Sequence, residues 1–434
     1  MKQADMHSSA DDSATVESQA TTDSSQHDAA LRVIRPPRAA PAEAARVTRA
    51  EIDLARVRHN LHELTACLKS SGAKLWAVIK ADGYGHGARN IATALQQARV
   101  DGICVALLEE GIELREAGIT VPILVMGGYY GRHRDGLDAL IEHELTPVVY
   151  EASQIDSLAR AVRFLAEHGS RSTEPYPVHL KIDTGMGRLG VRPEGLGEVL
   201  ASLQKARELH VDGLMTHLAC ADADSLSVTQ TQLERFGHAE ETVRAAGFSP
   251  TWRHAANTAA MLRLPESQLD LVRPGLGLFG VHPCPAHQAP QLRQPNLKPA
   301  MRVLSEIVAV RNIAVGEAVG YGHTWRASRP SRIATLPMGY ADGMSRTMSG
   351  GGEVLICGRR APIVGTVSMD LTMVDITDIE GVTVRDEVVI LGEQTGRLGT
   401  DAISADELAN HAGSISWECL TSISRRVPRF YRNP

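Results

Sequence analysis

Eight short apolar runs recur between residues 75 and 273, each separated from the next by a stretch that reads as helix or loop, and this alternation restricts the fold more than any other feature. The runs fall at 75–79, 102–106, 122–126, 146–150, 178–182, 211–216, 252–254 and 271–273. Apolar runs of this kind read as strands buried on both faces, and strands alternating with helices point to an α/β fold with a parallel sheet. Eight such repeats over roughly 250 residues match the size of a (β/α)8 barrel. A doubly wound sheet gives a similar alternation, so periodicity alone does not close the barrel.

Near residue 290 the texture changes. The segment 288–299 is rich in Gln, Pro and Asn and reads as a linker. Beyond it, short β-branched and apolar runs at 307–310, 333–336, 354–356, 364–367 and 388–390 are punctuated by Gly, Asp and Pro, which predicts a mostly-β domain with one helix near 405–411. The expected organisation is a disordered leader at 1–46, a barrel at 47–290 and a β domain at 291–434. The leader is dominated by Ser, Thr, Asp, Ala and Gln up to Ala30, carries a basic patch at 32–38, and has no apolar core of a secretory signal.

With 434 residues and 43% hydrophobic content the chain can bury large cores. A net charge of -6 provides no basic field for nucleic acid. No apolar run approaches the roughly 18 residues of a membrane span. Six scattered cysteines make no paired-spacing motif; they read as reduced thiols of a cytoplasmic protein, with neither a disulfide frame nor a metal site.

The groups that could carry chemistry stand where the predicted strands end. Lys80 closes the first run and is followed by Ala81-Asp82-Gly83-Tyr84-Gly85-His86-Gly87, a turn opening a helix. A lysine at the carboxyl end of a barrel strand, once desolvated, has a lowered pKa and an amine that can attack a carbonyl. Arg188 lies in the loop after the fifth run, which holds Lys181. His217 follows the sixth run, Asn257 and Thr258 the seventh, and Arg273 sits on the eighth, just before Gly275 and Leu276. Loops after the last two barrel strands often hold a phosphate, and Thr258 with the amides around Gly275 and Leu276 fits that role. The stretch 275–280 also matches G-x-G-x-x-G, but it comes late and no acidic residue follows about twenty positions on, which argues against a nicotinamide or flavin enzyme. Singly, each residue has an ordinary reading: His217 as a core histidine, Lys181 paired with Asp183, Arg188 and Arg273 as salt-bridge partners, Tyr321 as a packing residue. The set carries the argument.

The string 77–87, Ala-Val-Ile-Lys-Ala-Asp-Gly-Tyr-Gly-His-Gly, closely resembles the cofactor-lysine segment of alanine racemases, and the likeness recurs over roughly residues 48 to 434. The resemblance implies a pyridoxal 5'-phosphate enzyme that interconverts L- and D-alanine by a two-base mechanism, supplies D-alanine for peptidoglycan in the cytoplasm, and forms a head-to-tail homodimer with shared active sites. It implies Lys80 as the cofactor lysine, Tyr84, Thr258 (where Ser is usual), Gly275 and Leu276 around the phosphate, and Asn257 beside them. His217 would lie beside the cofactor ring and Arg273 would face its pyridine nitrogen. Arg188 would sit near the substrate carboxylate, with the Met369 amide. Tyr321 would be the second base, Lys181 a carbamylated lysine, and Tyr340, Arg346 and Trp417 entryway residues. Three positions depart from the family pattern: Thr366 stands where arginine is common, and Trp417 and Phe279 where tyrosine is. Racemisation of serine or another small amino acid stays open on this reading. A barrel-type decarboxylase would place an acidic residue where Arg273 stands, and a carrier protein would lack the second domain.

Overall fold

The computed structural model describes residues 45–68, 71–131, 134–169, 172–284 and 294–433. The expected leader, but for its last two residues, and positions 288–293 of the expected linker lie outside the described residues.

All eight predicted runs are strands. After a first strand, β1 (Arg49–Asp53), come β2 (Lys74–Val78), β3 (Gly102–Val105), β4 (Ile123–Val125), β5 (Thr146–Val149), β6 (Tyr176–Lys181), β7 (Leu209–Met215), β8 (Trp252–His254) and β9 (Leu271–Val272). They form one sheet in the order β8-β7-β6-β5-β4-β3-β2-β9, with every neighbouring pair parallel. Its two edges, β8 and β9, approach each other: Asp270 N–H donates to Arg253 O (3.1 Å), Arg273 N–H donates to Ala256 O (2.9 Å), and the Arg253 and Asp270 side chains pair across the seam at 2.7 Å. These contacts bring the sheet close to a closed barrel, the point that periodicity left open.

Large rings fill the barrel interior because glycines make room for them. Trp76 on β2 lies 5.9 Å, centroid to centroid, from His179 on β6. A Cβ on Gly102 would stand 2.6 Å from the Trp76 ring, and one on Gly213 would overlap His179. Outside, the helix Ala152–Glu167 buries Ile155, Leu158, Ala159, Val162 and Leu165, the i, i+3, i+4, i+7 stripe of a helix packed on a sheet.

The rest of the chain is mostly β: β10 (Met301–Glu306), β11 (Ala309–Ile313), β12 (Ala318–Val319), β13 (Trp325–Arg326), β14 (Ser331–Leu336), β15 (Glu353–Ile356), β16 (Arg359–Pro362), β17 (Thr372–Asp375), β18 (Glu387–Gly396), β19 (Gly399–Ile403) and β20 (Arg429–Arg432). The main sheet runs β16-β15-β18-β10-β1-β20, with β19 on β18, beside a smaller β11-β14-β17 sheet. The helix expected near 405–411 is Ala405–Ala412, and a second, Ser416–Ser422, follows it.

Three elements differ from the sequence reading. Residues 364–367 are a loop, because Gly365 takes φ 70° and turns the chain out of the extended form. The run 307–310 straddles the break between β10 and β11. The unforeseen β1 lies between β10, antiparallel, and β20, parallel, so the first strand of the described chain belongs to the second sheet and joins it to the last strand.

The link between β2 and the next helix decides the geometry of the site. Lys80–Tyr84 makes one turn in which Ala81, Asp82 and Gly83 are left-handed (φ 51°, 56° and 63°), and Tyr84 follows at φ 52°. Left-handed backbone costs a non-glycine residue roughly 1–2 kcal/mol. The carboxyl end of the chain braces the turn: Arg429 Nε–H donates to Gly85 O (3.0 Å), Tyr431 O–H donates to His86 O (3.1 Å), and Leu420 O occupies the space where a Cβ on Gly85 would stand. Gly85→Ala should therefore destabilise the fold by about 3 kcal/mol or more, from strain plus backbone overlap. Gly118, with the same kind of backbone (φ 82°) and open space around it, is the control. Urea unfolding should show a clearly larger loss for Gly85→Ala than for Gly118→Ala; equal losses would mean that the brace contributes nothing.

Candidate active site

Several polar groups at the barrel mouth are held by contacts to the backbone of neighbouring strand ends. Glu110, in the helix Leu108–Glu116, accepts Ala81 N–H at 2.6 Å through one oxygen, and the amides of Ala106 and Leu107 at 2.8 and 3.1 Å through the other. It ties the Lys80 turn to the end of β3. Asp82 accepts Ala88 N–H (2.9 Å) and so caps the next helix. The Lys80 amine is pushed below its ordinary pKa, first by burial and then by the Arg188 guanidinium, with Glu110 opposing.

Tyr84 is buried and stays a neutral phenol, since burial raises its pKa strongly. Its hydroxyl fills the space where a Cβ on Gly275 would stand, so only glycine permits this approach. Thr258 Oγ1 accepts the Gly275 amide at 3.0 Å, and Asn257 caps the helix Thr258–Arg263 by accepting Ala260 N–H at 3.0 Å. The Gly275 amide is thus engaged within the protein, while Leu276 opens the 3-10 turn that follows. Phe279, one of the departures, is a buried core ring stacked on His86 (4.3 Å) and against Tyr84 (5.1 Å).

Arg273 is buried and donates to Thr216 O (2.8 Å), Ala255 O (3.2 Å) and His254 Nδ1 (2.6 Å). Burial brings its pKa down to about 10, which leaves it charged at neutral pH. Because Arg273 can only donate, His254 must be neutral with its proton on Nε2. That proton then points at His179 Nδ1, 2.9 Å away. Burial and Arg273 keep His179 down at about 3 and His254 well below its ordinary value. His217 is likewise held at about 3, by burial, then Arg273 and Arg188. All three imidazoles are therefore uncharged at neutral pH.

Lys181 is buried at the end of β6 and lowered to about 8 by burial and by the neighbouring charges of Arg273, Arg188 and Lys80, with Asp183 opposing. The Asp183 carboxylate accepts the amides of Gly185 (3.1 Å) and Gly187 (3.0 Å). Lys80, Lys181, Arg188 and Arg273 therefore meet in one field with a surplus of positive charge, suited to a ligand carrying phosphate and carboxylate groups. Gln232, almost fully buried, fixes the two loops that frame this field: it accepts Ala219 N–H (2.9 Å) and donates to His217 O (3.1 Å) and Thr184 Oγ1 (3.2 Å).

The second region carries the remaining candidates. Tyr321 is 73% exposed in a 3-10 turn between Gly320 and Gly322. Tyr340 and Met369, both exposed, are brought together by backbone bonds from Tyr340 N–H to Ser368 O and Ala341 N–H to Met369 O, each 3.0 Å. Arg346 is exposed, and the loop before it is pinned by buried Asp342, which pairs with Arg46 (2.6 Å) and Arg426 (3.3 Å). Trp417 is half-buried on the helix whose Leu420 carbonyl abuts Gly85.

Sequence reasoning did not single out Glu110, His179, His254 or Gln232. His179 was within reach: it lies two residues before Lys181 on one strand, hence on the same inward face. Gln232 carries no such signal, because its contacts depend on how its helix docks.

Comparison with known proteins identifies the family. Residues 52–283 match the family model for the alanine racemase N-terminal domain, and residues 300–431 match that for the C-terminal domain. The alanine racemase of Sorangium cellulosum is 56% identical over 390 residues, covering 90% of this chain and all of the relative. That of Symbiobacterium thermophilum is 41% identical over 89% of this chain and 97% of its own length. The crystal structure of alanine racemase from D-cycloserine-producing Streptomyces lavendulae superposes with a TM-score of 0.81 at 33% identity, covering 90% of this chain and 98% of that one. With both domain models matched in order and relatives aligned end to end, the chain belongs to the alanine racemase family.

Proposed function

We propose that this protein interconverts L- and D-alanine with pyridoxal 5'-phosphate, the cofactor of its family. The observation that carries the reading is the Lys80 amine, lowered in pKa and set on a left-handed turn in a field shared with Lys181, Arg188 and Arg273. The cofactor supplies an electron sink that makes an otherwise very weakly acidic α-proton removable.

The chain's own residues do the rest. Lys80 would hold the cofactor covalently, with Tyr84, Thr258, Leu276 and Gly275 around its phosphate, Asn257 fixing the helix that presents Thr258, and neutral His217 beside the ring. Arg273 has no proton-accepting atom to offer the ring nitrogen. Arg188 and the Met369 amide would take the substrate carboxylate. Inversion requires proton removal on one face and return on the other, and Lys80 and Tyr321 are the two bases. Carbamylation of Lys181 would turn a crowded cation into an anion beside Arg188, which the low pKa of its amine favours. Tyr340, Arg346 and Trp417 would line the approach.

Tyr321, Tyr340, Met369 and Leu371 are 73%, 43%, 52% and 42% exposed, a set of large side chains that a partner subunit would cover. We assign them to a head-to-tail homodimer in which Tyr321 of one protomer completes the site around Lys80 of the other. Among the described residues no helix is long and apolar enough to cross a membrane, and the six cysteines form no disulfide with one another. A cytoplasmic enzyme supplying D-alanine for peptidoglycan fits both.

Chiral analysis of alanine incubated with the holoenzyme in deuterated water should show inversion with deuterium at the α-carbon; release of carbon dioxide would point to a decarboxylase instead. Lys80→Ala and Tyr321→Phe should each lose activity by a factor of about 1,000 or more. Dissociated and remixed, the two variants should regain activity in hybrids that hold one intact site, whereas confirmed hybrids without activity would rule out shared sites.

Cofactor capture by the cofactor-free protein should follow Lys80 deprotonation, since only the neutral amine attacks an aldehyde. A lowered pKa means that capture rises with pH at a midpoint below the ordinary 10.5 of lysine. Glu110 raises and Arg188 lowers this pKa, so Glu110→Gln should move the midpoint to lower pH and Arg188→Ala to higher pH. Growth of an absorbance band at ~420 nm, typical of such adducts, follows the reaction; shifts of the opposite sign would contradict this electrostatic account.

A further inference from the structure

Within its own protomer Tyr321 is 73% exposed, so intrachain packing of its ring does not fix its position. Its backbone does not fix itself either: Gly320 and Gly322, on either side, take φ of 78° and 72°, conformations that glycines leave as readily as they adopt. The hairpin β12–β13 holds the flanks, pairing Val319 with Trp325. Between these flanks the carbonyl of Tyr321 accepts a hydrogen bond from Thr366 Oγ1 at 2.9 Å. Since the single Thr366 proton is spent on that carbonyl, its oxygen is left to accept the Thr324 hydroxyl, 3.3 Å away.

Thr366 is well placed for the task. It is 6% exposed, so its bond is shielded from water. Gly365, at φ 70°, lets it close on the hairpin, because a Cβ there would stand 2.5 Å from Val319 O. A threonine side chain has few χ1 options and holds its hydroxyl in a fixed direction. By the resemblance drawn from the sequence, an arginine is expected at this position. A long, charged side chain is replaced by a short hydroxyl turned toward the Tyr321 carbonyl.

We propose that Thr366 is the positioning residue for Tyr321, its hydroxyl clamping the Tyr321 carbonyl and thereby setting where the phenol stands. The proposal rests on the reading of Tyr321 as one of two bases. Loss of the clamp should weaken proton return on Tyr321's face and leave Lys80 working on the other. Substrate α-protons would then exchange with solvent more often without inversion.

The test uses the holoenzyme and the variants Thr366→Val and Thr366→Ser. Racemisation kinetics are measured together with the ratio of deuterium uptake without inversion to uptake with inversion in deuterated water. Thr366→Val should lower kcat about tenfold with KM changed less than about twofold, as for a misplaced catalytic group, and should raise the ratio several-fold. Thr366→Ser, which keeps the donor, should stay within about twofold of wild type. An unchanged ratio in Thr366→Val, or a serine variant as impaired as the valine one, overturns the proposal. If the valine variant is unstable, Thr366→Ala carries the same expectations. Tyr321→Phe separates the two readings: wild-type racemisation in it removes the base assignment and this proposal together, whereas an inactive Tyr321→Phe beside an unaffected Thr366→Val removes this proposal alone.

Discussion

The site depends on one backbone constraint, the left-handed turn that follows β2. A right-handed helical start there would carry Lys80 and Tyr84 in other directions. Three non-glycine residues, Ala81, Asp82 and Tyr84, bear the unfavourable φ values. The contacts from Glu110, Arg429 and Tyr431 offset that cost at about 1 kcal/mol per hydrogen bond, more where a charged group takes part. Two of those three contacts come from the last strand of the chain, so the carboxyl end stabilises the segment that bears Lys80.

Electrostatics follow from that placement. Once the turn sets Lys80 in the field shared with Lys181, Arg188 and Arg273, burial first and neighbouring cations second hold two amines below their ordinary values: Arg188 acts on Lys80, and Arg273, Arg188 and Lys80 act on Lys181. Burial first, and then the repulsion of Arg273, keeps His179, His217 and His254 neutral. Arg273, held by two carbonyls and a neutral histidine, has no counter-ion among these partners. Such a field is poorly compensated within the protein and suits an anionic ligand.

The second region works by a different rule. Apart from Trp417, its candidate groups are exposed and sit on loops or short turns, and hydrogen bonds and ion pairs hold them where packing does not: Thr366 at Tyr321, Ser368 and Met369 at the Tyr340 loop, Asp342 with two arginines below it.

By itself the sequence determined most of the barrel strands, because a strand buried on both faces is largely apolar along its length; the run Trp252-Arg253-His254 obeys this least. It also determined which residues stand at the strand ends, because chain order and strand direction together place Lys80, Lys181, His217 and Arg273 at one mouth. Tertiary structure alone decided the rest. Closure at β8 and β9 rests on an Arg253–Asp270 pair that no periodicity encodes. The loop at 364–367 escaped because Gly365 overrides an otherwise strand-like composition. The place of β1 beside β20, the docking of Gln232 and the grip of Thr366 on Tyr321 join residues far apart in the chain, or depend on how their loops turn. Such contacts are set by packing, and local patterns carry no record of them.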